Sequence, residues 1–165
     1  LRATNDFSFV RDVDFIAICV PTPLDEHQQP DISYVRSSAE EIAKYMISSK
    51  IKGHILIISS QSALEPAWSP YRLSKWGIKG ITSGIAQKLL PYGIIVNAIG
   101  PGPTATSMQD YREGDNIYTT GNTIERYTMP DEIAEYAKLL VSELGNTIIG
   151  DTIYMSGGRG IIEIR

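Results

Sequence analysis

Glycine is missing from the first 52 residues of this 165-residue chain, although 14 occur after them. That absence excludes a glycine-rich phosphate loop in the first third, because pyrophosphate binding needs bare backbone at a helix N-terminus. Cysteine is almost absent. The single Cys19 rules out an internal disulfide and any Cys-based zinc cluster. It lies in an apolar run and is read as an inert buried thiol. His27, in a polar loop, has no partner at ligand spacing, so no metal is expected. No apolar run approaches the roughly 20 residues that span a bilayer. Net charge is −4 with lysines and arginines scattered, so no basic stripe points to nucleic acid. Neither a membrane nor a nucleic-acid partner is expected, and the cytoplasm is the expected compartment. The chain opens Leu1-Arg2-Ala3-Thr4 with neither Met nor a signal-peptide pattern, which is expected of a fragment or a trimmed chain.

What is present alternates between strand and helix signals. Residues 15–20, 54–59, 94–99 and 152–155 are short, β-branched and bounded by turn residues. The first three do not alternate polar with apolar, which suits parallel strands covered on both faces. A weaker strand over 1–4 and a short helix over about 6–12 precede them. Asp31 can cap a helix with Val35, Ala39, Ile42 and Met46 on one face. A second helix runs from Pro70 to about Leu90 and stops near Pro91 and Gly93. A third starts at Thr128-Met129-Pro130-Asp131, a capping-box pattern, and carries Ile133, Ala137, Leu140 and Val141. Residues 107–127 are polar and aperiodic, as in a long functional loop. The expected fold is α/β: an open parallel sheet of four to five strands with flanking helices, in one domain over residues 1–165, without a first glycine-rich βαβ half.

Tyr71 and Lys75 are four apart on the second helix and share one face. A free tyrosine, with a pKa of about 10, exchanges protons poorly near neutrality. An adjacent ammonium favours the phenolate. A serine at the end of the preceding strand could hydrogen-bond a substrate carbonyl. Alone, the Tyr-x-x-x-Lys spacing equally describes two helix-surface residues.

The surrounding motifs give it context: Gly53-His54-Ile55-Leu56-Ile57-Ile58-Ser59-Ser60, Tyr71-Arg72-Leu73-Ser74-Lys75, Val96-Asn97-Ala98-Ile99-Gly100-Pro101-Gly102, and residues 150–158 ending Ser156-Gly157-Gly158. In this order they resemble the second half of a short-chain dehydrogenase/reductase, a Rossmann-type fold. The resemblance implies Tyr71 as acid/base, Lys75 as its modulator and Ser60 as a substrate-orienting hydroxyl. It places Pro101, Gly102 and Thr106 near a nicotinamide and makes residues 107–127 the substrate loop. Ser60 precedes Tyr71 by 11 positions where that family more often uses 13, and Ile57 stands where it usually carries Asn.

Residues 1 to about 50 resemble instead the nucleotide-sugar 6-dehydrogenases of UDP-glucose type. Ala3-Thr4-Asn5-Asp6-Phe7, Val20-Pro21-Thr22-Pro23 and Pro30-Asp31-Ile32-Ser33-Tyr34-Val35 carry that likeness. It implies that Thr22 borders a dinucleotide; read from the residues alone, the prolines only stiffen a strand exit. With a join near 50–53, the combination is expected to be an engineered or recombinant chimera: a folded scaffold without native activity, with no firmly expected cofactor. The alternatives are an NAD(P)-dependent oxidoreductase acting on a carbonyl or alcohol, and a weak nucleotide-binding module. A sheet with helices on one face only would be expected to form a homodimer or larger assembly through the uncovered face.

Overall fold

A computed structural model describes residues 33–161 together with Asp6, Phe9 and Asp31. Its framework is a parallel sheet of three strands in the order β1-β2-β3: β1 (Gly53–Ile58), β2 (Ile94–Pro101) and β3 (Thr152–Met155). Gly53 to Ile58 register with Ile94 to Ile99, and Ala98 to Pro101 with Thr152 to Met155. The expected strands over 1–4 and 15–20 and the helix over 6–12 lie outside the described residues, Asp6 and Phe9 apart. So do Cys19, Thr22 and His27.

Helix α1 (Ser33–Ser48) begins where the Asp31 carboxylate accepts the Ser33 N–H at 2.8 Å. Its buried stripe is the expected one, Val35, Ala39, Ile42 and Met46, with Ala43 added. Helix α2 (Pro70–Leu89) is capped by Ser69, whose hydroxyl accepts from Arg72 N, and has Pro70 in its first turn. There the fixed φ suits the helix and no N–H is lost. Ser74, Ile78, Thr82, Ala86 and Leu89 form its inner face. Helix α3 (Pro130–Leu140) starts one residue later than the Thr128 pattern suggests. Met129 is the cap residue, and the Glu132 carboxylate reaches back to its N–H at 2.8 Å.

Both faces of the sheet are covered, which accounts for the apolar strands. Helices α1 and α2 pack on Ile55, Ile57, Ile94, Val96 and Ala98. On the opposite face Leu140 of α3 packs on Leu56 and Ile99, with Ile133, Ala137, Val141, Ile148, Ile153 and Met155 around them. This corrects the expectation of a bare second face: α3 crosses to it after β2. The cover thins at the end of β1, where Ile58 is 45% exposed. Among the described residues no helix is long and apolar enough to cross a membrane.

Residues 107–127 are less irregular than their composition suggests. A single 3-10 turn (Ser107–Gln109) opens the segment, and Tyr118 bridges antiparallel to Arg126. Tyr111 and Tyr127 meet edge to face at 6.1 Å, and the Asn122 amide donates to the Arg126 carbonyl at 2.7 Å.

Candidate active site

The carboxyl ends of the three strands lie side by side, and in open α/β sheets this is the edge where ligands bind. Ser60 follows β1 and caps a short 3-10 turn (Gln61–Leu64), with extended backbone. Its Oγ accepts the Ser62 N–H at 3.2 Å, which leaves its own proton free to donate. Beside it, the buried Ser59 Oγ and Gln61 Oε1 have no hydrogen-bond partner among the described residues. Unmet polar groups of this kind call for an explanation, and a polar ligand at the strand end is one.

The end of β2 is packed directly against this turn. A Cβ on Gly100 would stand 2.6 Å from the Tyr154 ring and 3.2 Å from the Ser60 carbonyl carbon, so only glycine fits. Pro101 and Gly102 follow, and Gly102 N–H donates to the Met155 carbonyl at 3.0 Å. Thr106 is half-buried; its hydroxyl lies 3.4 Å from the Thr104 carbonyl. The stretch between them is held by Thr128, which donates to Pro103 O and accepts from Ala105 N.

Tyr71 occupies the first turn of α2 and is 54% exposed. The Lys75 Nζ lies 5.4 Å from the centroid of its ring, within range for a cation over an aromatic face. Burial pushes the Lys75 ammonium below its ordinary pKa, and no carboxylate among the described residues offsets that. The structure thus brings Tyr71 and Lys75 together, sets Ser60 against Gly100 at the head of the Pro101-Gly102 turn, and leaves Thr22 outside what it describes. Sequence reasoning missed Ser59 and Gln61, whose burial shows only in three dimensions. It also missed Glu65, the one acidic residue between positions 53 and 109.

The molecule is therefore a Rossmann-type α/β protein with a Tyr–Lys pair beside the strand ends. The family model described as enoyl-(acyl carrier protein) reductase matches residues 32–159. The chain is 36% identical over 104 residues to a short-chain dehydrogenase/reductase of Armillaria gallica, covering 57% of this chain and 40% of that protein. It is 35% identical over 125 residues to glucose 1-dehydrogenase 2 of Bacillus subtilis strain 168, covering 73% and 48%. A solved 4-hydroxyisoleucine dehydrogenase mutant, complexed with NADH and succinate, superposes with a TM-score of 0.71 at 25% identity over 81% of this chain and 57% of that one. The chain belongs to the short-chain dehydrogenase/reductase family. It spans about half the length of the curated relatives it matches, 40% and 48% of these two.

These findings overturn the expectation of a non-catalytic chimeric scaffold. The family match begins at residue 32 and runs through α1 and across residues 50–53, where a join was expected. Helix α1 shares one core with α2 and the sheet, so the two sides of that position form one framework. Nothing in the matches supports a nucleotide-sugar dehydrogenase segment. The motifs that carried that likeness lie almost entirely before residue 32, where the family match begins.

Proposed function

We propose that this chain carries the acid/base side of an NAD(P)-dependent oxidoreductase site acting on a carbonyl or alcohol. The observation that carries the reading is the Tyr71–Lys75 pair, with Lys75 Nζ 5.4 Å from the tyrosine ring. In reduction, the Tyr71 hydroxyl gives its proton to the substrate oxygen as negative charge develops there; in oxidation the phenolate takes it back. Lys75, with no carboxylate partner among the described residues, holds its ammonium against the tyrosine ring and so beside the proton in transfer. The free proton of Ser60 donates to the same substrate oxygen and fixes its position.

A nicotinamide dinucleotide, when bound, supplies or accepts the hydride. The unmet Ser59 and Gln61 groups fit a polar ligand at this edge, and Pro101, Gly102 and Thr106 are the residues that would border the nicotinamide. Thr22 is proposed for the same ligand from sequence alone.

Titration of the protein with NADH and NADPH, followed by cofactor fluorescence, tests the reading. Saturation at micromolar concentration that weakens in Lys75→Ala supports it, and a carbonyl screen should then show turnover reduced at least about 100-fold in Tyr71→Phe, the usual scale of general acid–base catalysis. No binding at millimolar concentration overturns it.

A further inference from the structure

Glu65 leaves the 3-10 turn after Ser60 and is 8% exposed. A carboxylate so buried stays charged only if it is well paired. Here each oxygen meets a different arginine. Arg159 Nε donates to Oε1 at 2.6 Å, whereas Arg72 Nη2 lies 2.7 Å from Oε2 as an ion pair without hydrogen-bond geometry. The main chain of Glu65 is also held, since Trp76 Nε1 donates to its carbonyl at 2.9 Å. Arg72 Nη1 donates to the next carbonyl, that of Pro66, at 3.3 Å. Arg72 and Trp76 are one turn apart on α2 and directly follow Tyr71 and Lys75 in the sequence.

The other arm reaches the loop. Arg159 Nη1 donates to the Gly121 carbonyl at 3.2 Å, and the Gly157 carbonyl accepts from both Thr123 N and Ile124 N. Gly157 has φ +59, and a Cβ there would come within 2.7 Å of the Asn122 amide. Residues 121–124 are thus docked on 157–159, and 159 is docked on Glu65.

We propose that Glu65 is a positioning residue that ties the loop around Gly121 to the first turn of α2, so that the seating of that loop sets the placement of Tyr71. The proposal rests on the reading of Tyr71 as acid/base. One hydrogen-bonded and one ion-paired oxygen, each against a different cation, explain why this position needs a carboxylate. A glutamine presents one acceptor and one amide donor, and can hold only one of the two guanidinium groups.

Hydrogen exchange on the whole chain tests the link without needing turnover. Glu65→Gln should speed exchange about tenfold in both 70–76 and 119–125 while leaving α3 as it was. Arg159→Met should speed 119–125 more than 70–76. Ile78→Val, which loosens the core without touching the cluster, is the comparison and should raise exchange across the molecule. Changes in Glu65→Gln confined to residues 64–66, spread as in Ile78→Val, or absent would overturn the proposal.

Kinetics give the second readout. Glu65→Gln should lower kcat about tenfold with little change in cofactor KM, since it misplaces the reacting group. In a Tyr71→Phe background the same change should cost nothing more, because its effect passes through Tyr71. An equal further loss there would count against the role. If the wild type binds no NAD(P)(H), the proposed function fails, and exchange still decides whether Glu65 couples the two segments.

Discussion

The two faces of the sheet are built differently. Under α1 and α2 lies a continuous core in which Ile57, Ile78, Ile94, Val96 and Ala98 are almost wholly sealed from water. Under α3, among the described residues, the apolar cluster has Leu56, Ile99 and Leu140 buried, and the residues around them are partly wet. Dense packing on one side fixes the helix that carries Tyr71 and Lys75. Looser packing on the other supports the segment into which residues 107–127 run. Stability and adaptability are thus assigned to opposite sides of one sheet, so that a segment on the looser side can open locally without unfolding the domain.

Truncations on the two faces should separate most clearly. Ile78→Ala, in the sealed core, should cost about 3–5 kcal/mol in urea unfolding, because the surrounding side chains leave little room to collapse into the cavity. Leu140→Ala should cost less, about 2–3 kcal/mol, since its neighbours already border solvent. Equal losses would break the contrast.

The outer surface of α2 offers the opposite sign. A Cβ on Gly84 would meet nothing within 4 Å. Gly84→Ala should therefore raise stability by about 0.5–1 kcal/mol, mostly by restricting the unfolded chain.

The smallest effect belongs to the α3 side. Arg126 grips Glu132 through two bonds of 2.7 and 2.8 Å, and this pairing, helped by the Met129 N–H, lowers the Glu132 pKa from 4.5 to about 2. The lowered value means the contribution is present above pH 4.5 and lost as pH falls towards 2. Because the pair is well exposed and screened by solvent, its contribution should be the smallest of these. Arg126→Gln should flatten that part of the acid stability profile, and an unchanged profile would remove the pair from the account.

Much of this arrangement was legible in the sequence where the signal is local. The α1 stripe, the three described strands and the Tyr71–Lys75 spacing follow from period and turn residues within a few positions. The cap of α3 was displaced by one residue because Pro130 suits the first helical position and Glu132 then reaches Met129. The order within 107–127 was illegible, since it depends on pairs such as Tyr111 with Tyr127 and on docking to Gly157. The Glu65–Arg159 contact spans 94 positions, and no periodicity announces such a pair. Motifs in residues 1–35 pointed to a second family that none of the matches supports, and most of them lie outside the described residues and ahead of the family match.

Asn97, sealed in the middle of β2, carries a consequence for how the last strand is held. Its amide nitrogen donates to the Ile148 carbonyl at 2.5 Å and its oxygen accepts from Asp151 N at 3.1 Å, imitating with one side chain the pairing of a strand. The clip grips the segment just ahead of β3, which begins at Thr152, one residue after the bond to Asp151. The last strand is therefore registered by a side chain of the central strand as well as by its own backbone ladder.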